Sequence, residues 1–145
     1  MKVYTIGFTK TTAESFFARL QKAGARQVLD VRLNNVSQLA GFTKRDDLRY
    51  LLKAIAGINY VHMLDLAPEK HHLDEYKRGR MTWQDYEAAY LTLLDARNVP
   101  ESALQGIEDG DCLLCSEDQP EKCHRRLAAE YLARHRPGVE VIHLI

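Results

Sequence analysis

Three cysteines fall within twelve residues of one another near the end of the chain, at Cys112, Cys115 and Cys123, and Cys123 opens the run Cys123-His124-Arg125-Arg126. The thiolate, not the thiol, is the nucleophile and metal ligand, and helix N-termini and neighbouring cations favour it. Cys123 sits about where a helical pattern begins, with His124 and Arg125 adding cationic character, so it is the expected nucleophile or redox thiol, the alternative being a small buried residue of the first turn. Cys115 lies eight positions earlier, at the end of a short apolar run. A loop of that length can bring the two sulfurs together as a redox pair or as metal ligands, or Cys115 can simply close the strand in the core. Glu117 follows two residues later, either as a general acid or base or as an ionic anchor for Arg125 or Arg32. No metal site is assigned. The spacing is not a standard zinc pattern, and side chains adjacent in a helix diverge by about 100°, which separates Cys123 from His124.

Other residues extend the candidate site. Arg32 and Arg125 would make an anion site beside a helix N-terminus, binding phosphate or carboxylate. Asp30 is expected to buttress Arg32. His62 closes an apolar run and is a candidate base or ligand, the alternative being a lone histidine satisfied by a carbonyl. Thr9 and His124 join Arg32, Arg125 and Cys115 as candidate ligand-binding residues. His71 and His72 lie in a charged stretch and read as solvated. Phe16, Phe17, Tyr86 and Tyr90 have helical spacing and read as core, whereas Trp83 stands at a helix start and could cover the site. The chain has no glycine-rich phosphate loop and no Cys-x5-Arg spacing, which disfavours a nucleotide triphosphatase and a cysteine phosphatase.

The elements that must position these groups alternate. Val3–Ile6 reads as a strand ending at Gly7, followed by a helix with Phe16, Phe17 and Leu20 on one face, capped by the Thr11/Glu14 spacing and closed by Gly24. Residues 27–31 form a second strand, and 33–45, with Asn34, Asn35, Ser37, Gly41 and Thr43, a loop. Leu48, Leu51, Leu52 and Ile55 space a second helix stopped by Gly57. Residues 58–62 form a third strand, and 63–81 a long charged connection that is functional, partly helical or mobile. A helix capped by Thr82 and Asp85 follows, then a short one opening at Pro100, a strand 112–115, a helix 122–135 and a closing strand 139–145. This alternation predicts a single α/β domain over residues 1–145, with a mainly parallel five-stranded sheet covered by helices on both faces. Gly7–Thr9, Asp30, Arg32, His62 and Cys115–Glu117 then share one sheet edge, the C-terminal one where open α/β sheets place their sites.

The bulk properties set limits. Twenty basic and twenty acidic residues among 145 cancel, so net charge points neither to nucleic acid nor to an anionic membrane. No apolar run approaches the ~18 residues of a membrane span, and the start does not read as a signal peptide. A cytosolic protein is expected, whose cysteines are thiols, ligands or redox groups rather than a structural disulfide.

Thr5-Ile6-Gly7, Leu29-Asp30-Val31-Arg32, Tyr60-Val61-His62, Leu113-Leu114-Cys115-Ser116-Glu117 and Cys123-His124-Arg125 occur in the order expected of the family called domain of unknown function 488. The chain resembles that family over essentially its whole length. The resemblance implies a cytosolic α/β domain and brings no reaction with it. Members often carry Gly-His-Ser after the first strand, where this chain has Gly7-Phe8-Thr9. Two classes of function fit the residues. One is a small enzyme acting on a compact anionic or polar ligand, with Cys123 as thiol, Glu117 and His62 as acid/base groups, and Arg32 and Arg125 as anchors. The other is a non-catalytic ligand- or metal-binding module working through a partner, which could be associated with nucleic acid. No motif specifies a cofactor, a reaction or an oligomeric state.

Overall fold

The computed structural model describes residues 1–36 and 41–145; Ser37, expected in the 33–45 loop, lies outside the described residues. Five short strands, β1 (Lys2–Ile6), β2 (Gln27–Asp30), β3 (Asn59–His62), β4 (Asp111–Leu114) and β5 (Glu140–Leu144), pair entirely in parallel in the order β3-β2-β4-β1-β5. Parallel neighbours need crossovers, and helices supply them: α1 (Ala13–Ala23), α2 (Arg45–Leu51), α3 (Lys70–Lys77), α4 (Trp83–Ala96) and α5 (His124–His135). The mainly parallel sheet expected from the alternation is thus fully parallel.

Strand residues alternate between the two faces, and each face has its own core. Ile6, Val28, Tyr60, Cys112 and Leu114 pack with Phe16, Phe17 and Leu20 of α1 and Leu48 of α2. Val3, Leu29, Leu113 and Cys115 pack on the opposite face with Tyr90 and Leu94 of α4 and Leu127, Ala128, Tyr131 and Leu132 of α5. This period of two separates the cysteines. Cys112 enters the α1 core, and Cys115 faces α5.

Helix boundaries shift for local reasons. The cap of α1 is Thr12 rather than Thr11, its hydroxyl accepting from the Ser15 N–H at 3.1 Å, and Gly24 ends the helix at φ 71°. Thr82 caps α4 through the Asp85 N–H, as its spacing implied. The second helix begins earlier than its leucines suggest and runs on through a π-type segment, Leu52–Ala56. The charged stretch 63–81 is largely ordered, with α3 carrying a Lys70–Asp74 pair at i,i+4. The helix expected at Pro100 is instead two 3-10 turns, Val99–Glu101 and Ala103–Gly106, because Ser102 between them leaves helical geometry (φ −129°, ψ −93°).

The register places His62, Asp30, Leu114, Ile6 and Leu144 in one row across the C-terminal ends of the strands. Asp30 is the charged anchor of that row. Its fully buried carboxylate accepts from the Arg32 backbone N–H (3.1 Å), Arg32 Nε and Nη2 (2.9 Å each) and the Tyr60 hydroxyl. Burial, and next the bond to Asp30, hold the Tyr60 phenol above its ordinary range. Removing one side of a buried pair strands the other charge. Asp30→Ala is therefore expected to lower the unfolding free energy by about 3–5 kcal/mol, and Tyr60→Phe by only about 1 kcal/mol. Urea denaturation checks both, and an Asp30→Ala loss no larger than that of Tyr60→Phe would contradict the assignment.

Candidate functional site

The loop after β4 is fixed from below before it offers anything to a ligand. Cys115 N–H donates to the Ile6 carbonyl at 3.2 Å. The Ser116 carbonyl accepts from Phe8 N–H (3.2 Å), Thr9 N–H (2.9 Å) and the Thr9 hydroxyl (2.6 Å). Beneath it lies Arg125, fully buried, donating through Nη1 to the Glu117 carbonyl, through Nη2 to the Asp118 carbonyl at 3.4 Å and through Nε to the Thr5 hydroxyl at 3.4 Å. Gly7 makes the approach feasible: a Cβ there would stand 1.6 Å from the Glu117 carbonyl oxygen and 3.0 Å from Arg125 Nη1. Arg125 is therefore not the ligand anchor that its spacing suggested. Its fork is spent on backbone carbonyls, so it holds the loop instead.

A cavity of about 360 Å³ opens above this base. Thr9, Arg32, Cys115, Glu117, Cys123 and His124 line it together. Arg32 lines it with its Nε and Nη2 occupied by Asp30 and the Thr43 carbonyl (2.7 Å), and among the described residues Nη1 makes no hydrogen bond. Glu117 is exposed and its carboxylate has no ion-pair partner among the described residues. It meets Arg125 through its main-chain carbonyl, so of the two roles open to Glu117 the ionic anchor is not formed among the described residues. His62 is not in the cavity. It belongs to β3, the edge strand beyond β2, and its Nε2 donates to the Arg32 carbonyl at 2.7 Å. It therefore steadies the β2 exit and is not placed as a base.

The two sulfurs on the cavity floor do not share the roles first expected. Cys123 precedes α5 in an extended conformation (φ −135°, ψ 136°) and is buried. Burial pushes its thiol well up, and the neighbouring Cys115 adds to this, outweighing His124 and Arg125. Burial alone would raise Cys115 too, but the Cys123 S–H, the Ser116 N–H and the Arg125 charge together bring it below its ordinary value. Cys115 is thus the first of the pair to ionise. The Cys112 thiol is pushed up by burial on the other face.

Cys115 Sγ, Cys123 Sγ and a nitrogen of His124 lie within 4.8 Å of one another. The helical divergence expected between residues 123 and 124 does not apply, because Cys123 stands outside the helix. Even so, the cluster is poorly shaped for one ion. Cys115 Sγ is 3.5 Å from His124 Nδ1 and 3.6 Å from Nε2. Near-equal distances put the sulfur over the ring, since an in-plane approach would drive it into Cε1. Nε2 also donates to the Val31 carbonyl at 2.7 Å. Joint coordination would require the ring to tilt until Nδ1, the nitrogen that the Val31 bond leaves unprotonated, faces the sulfurs in its own plane.

The far wall joins Trp83 and Tyr86 to residues that carry no motif in the sequence. Leu73, Tyr76 and Lys77 of α3 line the cavity with Trp83 and Tyr86 of α4 and with Lys122. Trp83, expected to cover the site, is one of the residues lining the cavity. Tyr86, read as core, is buried and also faces the cavity. The available signal was the i,i+4 spacing of Leu73 and Lys77 within the charged stretch, with Tyr76 between them.

A family model described as "Domain of unknown function DUF488" matches residues 12–132. No curated protein and no solved structure shows significant similarity to the chain.

Two outcomes follow from this geometry. Iodoacetamide should label Cys115 first, with a rate–pH midpoint on the acid side of that for the unfolded chain's thiols, because a lowered value keeps thiolate present at lower pH. Cys112 should stay unlabelled until unfolding. Peptide mass spectrometry reads both, and Cys123 labelling before Cys115 would contradict the order. Glu117→Gln should change stability by less than about 0.5 kcal/mol, whereas Arg125→Gln should cost about 3 kcal/mol or more by disrupting a buried charged network. Thermal and denaturant melts decide, and equal losses would restore a Glu117–Arg125 ion pair.

Proposed function

Because the chain belongs to the DUF488 family, whose description carries no reaction, we infer its activity from the cavity and propose a small thiol enzyme acting on a compact anionic or polar ligand. The observation that carries this reading is the convergence of a thiol of lowered pKa, an unpaired carboxylate and three cationic side chains on one cavity at the strand C-terminal ends. Cys115 is the nucleophile. Its sulfur gives an electron pair to an electrophilic carbon of the ligand while the bond from that carbon to its leaving atom breaks. Cys123 holds the thiolate by donating S–H, and His124, fixed by Val31, packs against the sulfur. Glu117 exchanges the proton at the departing or attacking atom. Arg32 Nη1, Lys77 and Lys122 attract the ligand's negative charge.

An anionic alkylating agent tests thiol and anchors together. Relative to free cysteine, Cys115 should favour iodoacetate over neutral iodoacetamide by about tenfold, equivalent to about 1.4 kcal/mol, and Lys122→Gln should reduce that preference. A preference no greater than that of free cysteine would contradict the reading. So would a purified protein that holds a stoichiometric transition metal and leaves Cys115 unreactive until chelation, which would establish the metal-binding module instead.

A further inference from the structure

The cavity's far wall carries chemistry that the thiol reading does not use. Tyr76, Trp83 and Tyr86 form one aromatic cluster, with ring centroids 5.6 Å apart for Tyr76–Trp83, 4.9 Å for Tyr76–Tyr86 and 5.5 Å for Trp83–Tyr86. All three line the cavity. Tyr86 is buried, while Tyr76 and Trp83 keep part of their surface open. Arg126 stands over the Trp83 ring at 6.0 Å and so helps to fix the indole.

The charges are as specific as the rings. Arg32 is largely neutralised by Asp30, but neither Lys77 nor Lys122 forms an ion pair with any described residue, and both line the cavity. Glu117 is the one carboxylate lining the cavity among the described residues, which leaves an excess of positive charge. The volume of about 360 Å³ is near the lower end of the range for small-molecule sites, roughly 300–1,000 Å³. It suits one ring with a short arm and excludes a dinucleotide.

Resting on the thiol reading above, we propose that the ligand is a flat aromatic or heteroaromatic ring bearing a carboxylate or phosphate. The ring stacks on the Tyr76–Trp83–Tyr86 wall, and the anion is held by Lys77, Lys122 and Nη1 of Arg32. Glu117 accepts from an N–H or O–H on the ring or its arm. The wall serves recognition and the floor serves reaction, so the ring is held against α3 and α4 with its reacting atom turned toward Cys115.

Trp83 is the chain's only tryptophan, so its fluorescence reports directly on the wall. The test titrates the whole protein with benzoate, nicotinate and adenosine 5′-monophosphate. Acetate and inorganic phosphate serve as anions without a ring, and benzamide and adenosine as rings without an anion. Fluorescence and calorimetry are both recorded. At least one ringed anion should bind about tenfold or more tighter than either of its halves, as one aromatic contact and one charged contact together imply. The preference between carboxylates and the monophosphate identifies the anion. Trp83→Leu, which keeps apolar bulk, should lose about tenfold by calorimetry, as loss of an aromatic stacking partner implies. Lys77→Gln and Lys122→Gln should each weaken binding and flatten its salt dependence. Ringed anions binding no tighter than acetate or phosphate, or an unchanged affinity in Trp83→Leu, would overturn the proposal. If Cys115 still prefers iodoacetate in that case, the ring assignment alone falls; if that preference is missing too, the thiol reading falls with it.

Discussion

A guanidinium buried without a carboxylate partner is costly, and among the described residues Arg125 is one: fully buried, it donates there to the carbonyls of Glu117 and Asp118 and the hydroxyl of Thr5. The fork of an arginine can satisfy several acceptors at once, and here those acceptors come from β1 and the loop after β4 while the arginine itself comes from α5. One side chain thus ties three elements into a single base. Gly7 is the concession the sequence makes to it, since a side chain there would occupy the space of the Glu117 carbonyl. The charge also acts at a distance. It helps to lower the neighbouring Arg19 and His143, after burial as the first cause, and it favours the thiolate of Cys115.

Around that base the cavity has two unlike sides. The floor consists of strand exits whose backbone groups are paired across the sheet and whose charged residue, Arg32, is held by Asp30. The wall is a helical addition. α3 buries no residue completely, and it joins the molecule largely through its contact with α4 and the Tyr76–Trp83–Tyr86 cluster. Segments with few buried contacts open at lower free-energy cost than the core. The floor is therefore suited to hold reacting groups in fixed relation, and the wall to admit a ligand.

Much of the architecture could be read from spacing, because periodicity reports burial directly. The alternation of apolar runs and helical patterns implied a parallel sheet covered on both faces, and the row His62–Asp30–Leu114–Ile6–Leu144 lies at the shared edge. What spacing could not convey was direction. Arg125 and Glu117 were legible as neighbours, but whether the arginine meets a carboxylate or a carbonyl depends on the turn of the loop. Cys123 resembled a helix-start thiolate until its extended backbone and burial were taken into account. His62 sits at the right edge and on the wrong strand, since strand order across a sheet is not a property of local sequence. Lys77 and Tyr76 were hidden in a stretch whose charge masked a short helix packed through a few aromatic contacts.

The central claim is that a loop fixed by Arg125 presents Cys115 to a cavity whose rim attracts anions. A crystal structure of the protein after stoichiometric reaction with iodoacetate tests it most directly, because the adduct records both the thiol that reacted and the direction its carboxylate took. The account predicts a carboxymethyl group on Cys115, its carboxylate within hydrogen-bonding reach of Arg32, Lys77 or Lys122, with Arg125 still bonded to the loop carbonyls. An adduct on Cys123 or Cys112, or a carboxylate turned away from all three cations, would contradict it.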